Sequence, residues 1–79
     1  MAAGGVIEID LHGKNEYQAK ITIDAALRRA KAGTYRLRIV HGYNGGTALR
    51  DMVRREYAGR VLRVIPLDQG RTDLVLREF

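Results

Sequence analysis

Two histidines, His12 and His41, are each followed directly by a glycine in the sequence. An imidazole changes its charge near neutral pH, so either ring could transfer a proton as a general acid or base. Asp10 lies two residues before His12, and its carboxylate could orient the imidazole or bind a divalent metal. These residue types therefore indicate acid–base chemistry, with a metal such as Mg²⁺ or Mn²⁺ left open.

A glycine-rich loop begins at the second histidine. Three of the six residues from 41 to 46 are glycine, and a helix is predicted to begin near Thr47. The free N–H groups and the positive dipole end of a helix N-terminus favour phosphate, and glycines let a ligand approach the backbone closely. Arg50, in the first turn of this helix, could add a guanidinium group. The loop is therefore a candidate phosphate-binding site.

The hydrophobic pattern predicts the elements that position these residues. From Val6 to His12 apolar and polar residues alternate, which is the period of a half-buried strand. Asn15 and Gln18 have the spacing of a capping box that opens a helix, which Gly33 is placed to end. The further elements predicted are a strand at Tyr35–Val40, a helix from Thr47 to Gly59, a strand at Val61–Ile65 that stops at Pro66, a polar turn at Leu67–Arg71 and a strand at Thr72–Leu76.

The order strand–helix–strand–helix–strand–strand predicts the topology. Strands joined through helices run parallel by right-handed crossovers, whereas the short turn before the last strand favours an antiparallel return. Two helices cover only one face of four strands, and the outward residues of the first two strands are charged, as on an open face. We therefore expect an α/β (α+β) two-layer sandwich with a four-stranded mixed sheet. Both histidines then lie at the carboxyl ends of parallel strands, where ligands bind in such sheets.

The chain is short and basic. Its 79 residues fit one domain, which we expect at residues 6–79 behind a flexible N-terminus of residues 1–5. It has no cysteine, which excludes a disulfide framework and a thiolate metal site. The net charge of +5 indicates an anionic partner. No apolar run reaches the ~18 residues of a membrane span, so we expect a cytoplasmic protein without a membrane partner, and a monomer by default.

Three stretches of the chain, in order, resemble the motifs of the Smr (small MutS-related) domain family. Residues 9–13 look like its first motif, L-D-L-H-G. Residues 39–50, from the second histidine through the glycine pair, look like its glycine loop entering a helix. Residues 70–76 look like its closing G-x-T-x-V/L stretch. The resemblance spans nearly the whole chain, from Val6 to Leu76.

This resemblance implies a fold similar to the C-terminal domain of translation initiation factor 3, and an endonuclease that nicks DNA or cleaves RNA. It places the acid and the histidine of the family's first motif at Asp10 and His12. His12 would be the general acid or base, while Asp10 would orient it or bind a divalent metal. The candidate nucleic-acid-binding residues, from the loop and its basic surroundings, are His41, Gly42, Tyr43, Asn44, Gly45, Gly46, Arg50, Arg71 and Thr72.

Other interpretations of the same residues stay open. A histidine at a strand end can be structural, Asp10 can cap the turn that follows it, and helix arginines such as Arg54 and Arg55 can form a solvated surface. Tyr43 and Asn44 replace the usual loop residues of the family, so an aromatic ring that could stack on a base stands where a basic contact is common. The alternative functions are a non-catalytic nucleic-acid-binding module and a protein-interaction domain that recruits a nuclease.

Overall fold

A computed structural model describes residues 5–42 and 47–78. Its elements follow the predicted order: β1 (Val6–Asp10), α1 (Glu16–Arg29), β2 (Arg36–Val40), α2 (Ala48–Glu56), β3 (Arg63–Asp68) and β4 (Arg71–Val75). The loop candidates Tyr43, Asn44, Gly45 and Gly46 lie outside the described residues, as do residues 1–4 of the predicted N-terminal segment and residue 79. Neither of the described helices has the length and apolar character needed to span a membrane.

The four strands form one mixed sheet in the order β1–β2–β4–β3. β1 pairs in parallel with β2, and Asp10 lies opposite Val40 at their carboxyl ends. β4 runs antiparallel to both β2 and β3. β4 therefore begins at the edge where the other three strands end. We call this edge, formed by the ends of β1, β2 and β3 and the start of β4, the carboxyl edge.

Both helices pack on the same face of the sheet, which confirms the two-layer sandwich. Alternate residues of β2, Leu37 and Ile39, are fully buried beneath the helices, as the period of the strand requires. The hydroxyl of Tyr57 donates a hydrogen bond to Oδ1 of Asp24 (2.6 Å), which links α2 to α1. The core that the two layers enclose consists of Leu11, Ala19, Ile23, Leu37, Ile39, Met52, Val53, Tyr57 and Leu74.

α1 begins as predicted but ends earlier. Oδ1 of Asn15 accepts from the N–H of Gln18 (2.8 Å), and Oε1 of Gln18 accepts from the N–H of Asn15 (3.0 Å), so the capping box is confirmed. The prediction that Gly33 ends the helix is wrong. The helix ends at Arg29 because the next residue, Ala30, is extended (ψ 126°), and Gly33 lacks the positive φ that a glycine at C′ adopts.

α2 begins at the predicted position and ends before Gly59. Thr47 occupies the N-cap position, but its hydroxyl donates to the Asp51 carboxylate (2.9 Å) and caps no backbone N–H. The helix ends at Glu56, and the buried Tyr57 is its C-cap. The prediction that Gly59 ends the helix is therefore wrong, and Gly59 lacks the positive φ that a glycine at C′ adopts.

β3 is longer than predicted and contains the proline. The predicted strand Val61–Ile65 stops at Pro66, whereas the observed strand begins two residues later, at Arg63, and runs through Pro66 to Asp68. A proline has no N–H to donate in a central strand, but β3 pairs only with β4 and is an edge strand of the described sheet, where proline is tolerated. The turn into β4 is therefore shorter than predicted and consists of Gln69 and Gly70.

Candidate functional site

Backbone hydrogen bonds join three strands at the carboxyl edge. The N–H of Leu11 donates to the carbonyl of Val40 (2.9 Å), which extends the pairing of β1 and β2 beyond their last residues. The N–H groups of His41 and Gly42 both donate to the carbonyl of Gly70, each at 3.0 Å. The two His–Gly segments thus follow neighbouring parallel strands at one edge of the sheet. This confirms the predicted placement of the two segments.

Both glycines that follow a histidine adopt a left-handed backbone conformation. The φ angle is 77° at Gly13 and 69° at Gly42, a region in which residues with a Cβ are strained. A Cβ added at either position would meet no other atom of the described residues within 4 Å. The glycines are therefore required by the conformation of the turn and not by crowding. The repeated His–Gly pair therefore places a glycine with positive φ just beyond the ends of both β1 and β2.

His41 is buried, with 8% of its surface exposed, and both of its ring nitrogens have partners. Nδ1 lies 3.0 Å from the carbonyl oxygen of Gly42, and Nε2 lies 2.8 Å from Oγ1 of Thr72. Because a carbonyl oxygen only accepts, Nδ1 must carry the proton of the neutral ring, and the Thr72 hydroxyl donates to Nε2. The hydrogen-bond network therefore assigns His41 to one neutral tautomer.

The surroundings of His41 favour this neutral state. Burial lowers the pKa of the imidazole because the charged form loses its hydration. The hydrogen bond to Gly42 opposes this shift, whereas the positive charges of Arg54 and Arg50 on α2 lower the pKa further. Both ring nitrogens also have hydrogen-bond partners within the domain.

Thr72 connects His41 to α2 through an arginine that the sequence-based prediction missed. Nε of Arg54 donates to Oγ1 of Thr72 (2.9 Å), and Nη2 of Arg54 donates to the carbonyl of Asp68 (3.2 Å). Thr72 is fully buried, so its hydroxyl has no surface to offer a substrate and instead bridges two side chains. Arg54 follows Arg50 by four residues, and this spacing on one helix face was the available signal.

His12 and Asp10 are both exposed at the carboxyl edge. Oδ1 of Asp10 accepts a hydrogen bond from the backbone N–H of His12 (2.8 Å). Between these two described residues the structure shows no hydrogen bond donated by the imidazole to the carboxylate. This geometry corresponds to the turn-capping role of Asp10, and it leaves the imidazole of His12 accessible to a ligand.

Two arginines at this edge are paired with neighbouring carboxylates. Nε of Arg50 donates to Asp51 (3.2 Å), and Arg71 donates two hydrogen bonds to Oδ2 of Asp68 (2.9 and 2.8 Å). The hydrogen bond from Thr47 lowers the pKa of the Asp51 carboxyl, and the one from Arg71 lowers the pKa of the Asp68 carboxyl. Because these pairs are partly exposed to water they are weak, and a phosphate could replace either carboxylate as the partner.

The described residues do not form a metal site. Within residues 5–42 and 47–78, no group of three or more His, Cys, Asp or Glu side chains is placed to hold a metal ion. Asp10, the candidate ligand, supplies a single carboxylate that is engaged with the backbone of His12.

The fold and the site define a small two-layer α/β domain with an exposed histidine and two arginines at the carboxyl edge of its sheet. A family model described as the Smr domain matches residues 9–66, more than half of the chain. The chain belongs to the Smr domain family, which is associated with nuclease and nucleic-acid-related functions. No curated protein and no solved structure matches the chain, so the likeness to translation initiation factor 3 stays a prediction.

Proposed function

We propose that this domain binds nucleic acid at its carboxyl edge and hydrolyses phosphodiester bonds there, as a nicking endonuclease of DNA or RNA. The main support for this proposal is that His12, which follows β1, is exposed at the carboxyl edge. The chain also leaves β2 for α2 at this edge. Membership of the Smr domain family supports a nucleic-acid partner, and the net charge of +5 supports a polyanionic one.

Binding uses two positive groups, one at the N-terminus of α2 and one at the start of β4. The N-terminus of α2 offers free N–H groups to a phosphate, and Arg50 lies in its first turn. Arg71, the first residue of β4, offers a second guanidinium at the same edge. A phosphate takes the place of Asp51 or Asp68 as the hydrogen-bond acceptor of these arginines. The strand of nucleic acid is held mainly by charge, and its affinity depends on salt.

The hydrolysis step assigns the proton transfer to His12. The neutral imidazole removes a proton from water as the water oxygen attacks phosphorus. The bond from phosphorus to the leaving sugar oxygen breaks, and the imidazolium returns the proton to that oxygen. The arginines and the helix N–H groups stabilise the charge that develops on the phosphate. Asp10 fixes the backbone of His12 through its hydrogen bond to the N–H, which limits the positions of the ring.

A second candidate function is a non-catalytic nucleic-acid-binding module. The observation that favours it is the hydrogen bond that the backbone N–H of His12 donates to the Asp10 carboxylate. An acid that caps a turn does not orient the imidazole directly, so His12 lacks the carboxylate partner that often fixes a catalytic histidine. In this case the carboxyl edge binds phosphate and makes no use of proton transfer.

Incubation of the purified domain with supercoiled plasmid and with single-stranded RNA tests both candidates. Each substrate is used with Mg²⁺, with Mn²⁺ and with a chelator, and binding is measured in parallel by fluorescence anisotropy. We expect nicked plasmid or shortened RNA, and the loss of these products in His12→Ala. Binding without cleavage would support the second candidate. Absence of both at low salt would contradict a nucleic-acid function and support a protein-interaction domain.

A further inference from the structure

Arg54 is linked to both the carbonyl and the N–H of Gly42 through intermediate residues. The carbonyl of Gly42 lies 3.0 Å from Nδ1 of His41, whose other nitrogen contacts Thr72, the partner of Arg54. The N–H of Gly42 donates to the carbonyl of Gly70 (3.0 Å), in the turn that precedes β4. Arg54 reaches the start of the same turn through its hydrogen bond to the carbonyl of Asp68.

We infer that Arg54 is a positioning residue of the carboxyl edge. Through Thr72 it holds His41 in the Nδ1–H tautomer, and so fixes the Gly42 carbonyl where the chain leaves β2 for the glycine-rich loop. The inference rests on the proposed function only in naming this edge as a nucleic-acid site. It assigns a role to an arginine that composition alone would place on a solvated helix surface.

The direction of the hydrogen bonds follows from the chemistry of the three side chains. A guanidinium only donates, so Oγ1 of Thr72 accepts from Arg54 and its own proton is free to point to His41. The ring then accepts at Nε2 and donates at Nδ1. Because a guanidinium keeps its proton at all ordinary pH values, Arg54 occupies one acceptor position of Oγ1 throughout, which favours the hydroxyl proton pointing to His41. Each bond also polarises the next, which strengthens the set as a unit.

Two of the three charges that face His41 favour the neutral ring, whereas the carboxylate of Asp68 opposes them. Arg54 and Arg50 face the ring from α2, and Asp68 faces it from the end of β3. Protonation of the ring would make Nε2 a donor towards a hydroxyl that already accepts from Arg54, beside two positive charges. The neutral ring with an accepting Nε2 is therefore the state that this arrangement stabilises.

The test is ¹⁵N NMR of the whole chain, since the imidazole nitrogen shifts report which nitrogen is protonated. Thr72→Val removes the hydroxyl and keeps the shape of the side chain, whereas Thr72→Ser keeps a hydroxyl. Arg54→Gln removes the charge, and Arg55→Gln is the matched control, because Arg55 is the next residue of α2 and forms an exposed ion pair with Glu56. Circular dichroism establishes that each variant is folded.

We expect the Nδ1–H pattern of His41 in the wild type, in Thr72→Ser and in Arg55→Gln. Thr72→Val and Arg54→Gln should lose the single tautomer, and Arg54→Gln should also raise the pKa of His41. An Nε2–H ring in the wild type would overturn the inference, as would an unchanged tautomer in Arg54→Gln. If Thr72→Val does not fold, the tautomer of His41 in Arg54→Gln decides the test.

Binding of a fluorescent single-stranded oligonucleotide gives the functional readout. Thr72→Val keeps the net charge, so weaker binding in this variant, restored in Thr72→Ser, would support positioning of the site and not a lost phosphate contact. Equal affinity in the wild type and Thr72→Val would overturn the positioning role. A wild-type chain that binds no oligonucleotide would overturn the proposed function, and the NMR result would then still decide how His41 is held.

Discussion

The guanidinium of Arg38 forms two hydrogen bonds with the carboxylate of Asp73, from Nε to Oδ1 and from Nη2 to Oδ2, both at 3.0 Å. The two residues lie directly opposite each other on β2 and β4, on the face of the sheet that the helices leave open. Arg36 adds a further hydrogen bond to Oδ2 (2.8 Å). Asp73 is fully buried although no helix covers it, because these two arginines lie over it.

This arrangement sets the protonation state of Asp73. Burial alone would raise the pKa of its carboxyl, because the charged form loses hydration. The hydrogen bonds and charges of Arg38 and Arg36 outweigh that effect and lower the pKa below its ordinary value. Asp73 is therefore a charged residue in the folded domain, and it neutralises two arginines that would otherwise repel each other on neighbouring positions of β2.

Replacement of Asp73 by Asn should destabilise the domain. The variant leaves two arginines without their counter-charge, and we expect a loss of about 1–3 kcal/mol in the free energy of unfolding. The estimate lies below the cost of breaking a wholly buried pair, because the two arginine side chains are 24% and 31% exposed. Urea denaturation followed by circular dichroism measures the loss.

Glu56→Gln is the matched control for this measurement. Glu56 forms ion pairs with Lys20 and Arg55 on the helix surface, where both partners are exposed. Removal of its charge should change the stability by no more than about 0.5 kcal/mol. Equal losses in Asp73→Asn and Glu56→Gln would show that Asp73 contributes only as an ordinary surface charge.

The fold could be predicted from local patterns, but several boundaries of its elements could not. Alternation in β1 and the capping box of Asn15 and Gln18 are local signals, and both agree with the structure. The extension of β3 through Pro66 depends on its place at the edge of the sheet, which no local pattern reports. The end of α1 at Arg29 depends on Ala30 turning away from the helix, although no glycine or proline forces it to do so.

The candidate site could be predicted only in part, because some of its contacts depend on how distant segments of the chain pack together. The strand order places His12 and His41 at one edge, and topology alone was sufficient for that prediction. The contacts of Thr72 with His41 and Arg54 join residues that are 31 and 18 positions apart. Such contacts depend on the register of β4 against β2 and on the rotation of α2. A single sequence contains no periodicity that fixes either of these.

The stability of the domain should decrease as the pH falls below about 6.5, because of His41. Its pKa is lowered in the folded state, so between the folded and unfolded pKa values the unfolded chain binds more protons. The free energy of unfolding therefore falls as pH decreases through that window and is fully retained above it. Urea denaturation between about pH 8 and pH 5 measures the slope.

Two histidine variants distinguish the contribution of His41 to the pH dependence of stability from the contributions of other titratable groups. His41→Gln should lose the decrease in stability, whereas His12→Ala should keep it, because His12 is exposed and His41 is the buried ring. A decrease that persists unchanged in His41→Gln would assign the pH dependence to carboxylates and contradict the buried neutral imidazole.

Arg50→Ala should weaken the binding of nucleic acid and make it less sensitive to salt. Arg50 lies in the first turn of α2, and loss of one phosphate contact should reduce the slope of log K against log salt by about one unit. Arg55→Ala changes the net charge equally but removes an arginine further along the helix. If both variants reduce the slope alike, the attraction is due to net charge and not to a contact at the carboxyl edge.

His12→Ala should reduce cleavage by roughly 10²–10⁴-fold if the imidazole transfers a proton in the transition state. Binding should hardly change, because a neutral imidazole adds no counter-charge to a phosphate. Single-turnover cleavage and anisotropy, measured on variants purified in parallel, distinguish the two effects. A variant that cleaves as fast as the wild type would show that the activity comes from elsewhere, either another residue or a contaminating nuclease.

Asp10→Asn distinguishes the turn-capping role of Asp10 from a role of its charge. The Oδ1 atom of an asparagine can still accept from the N–H of His12, so a cap is preserved while the negative charge is lost. Because the hydrogen bond in the structure goes to the backbone, we expect Asp10→Asn to keep both the stability and the cleavage rate of the wild type. Asp10→Ala removes the acceptor and should lower the stability by about 0.5–1.5 kcal/mol.

These two variants also give opposite outcomes for the alternative roles of Asp10. If the carboxylate orients the imidazole of His12 or binds a divalent metal, Asp10→Asn must lose cleavage while its stability stays that of the wild type. Metal dependence would then distinguish the two, since a metal ligand makes the residual rate depend on the concentration of Mg²⁺ or Mn²⁺, whereas an orienting carboxylate does not. Loss of cleavage in Asp10→Ala alone, with a matching loss of stability, would assign Asp10 to the turn.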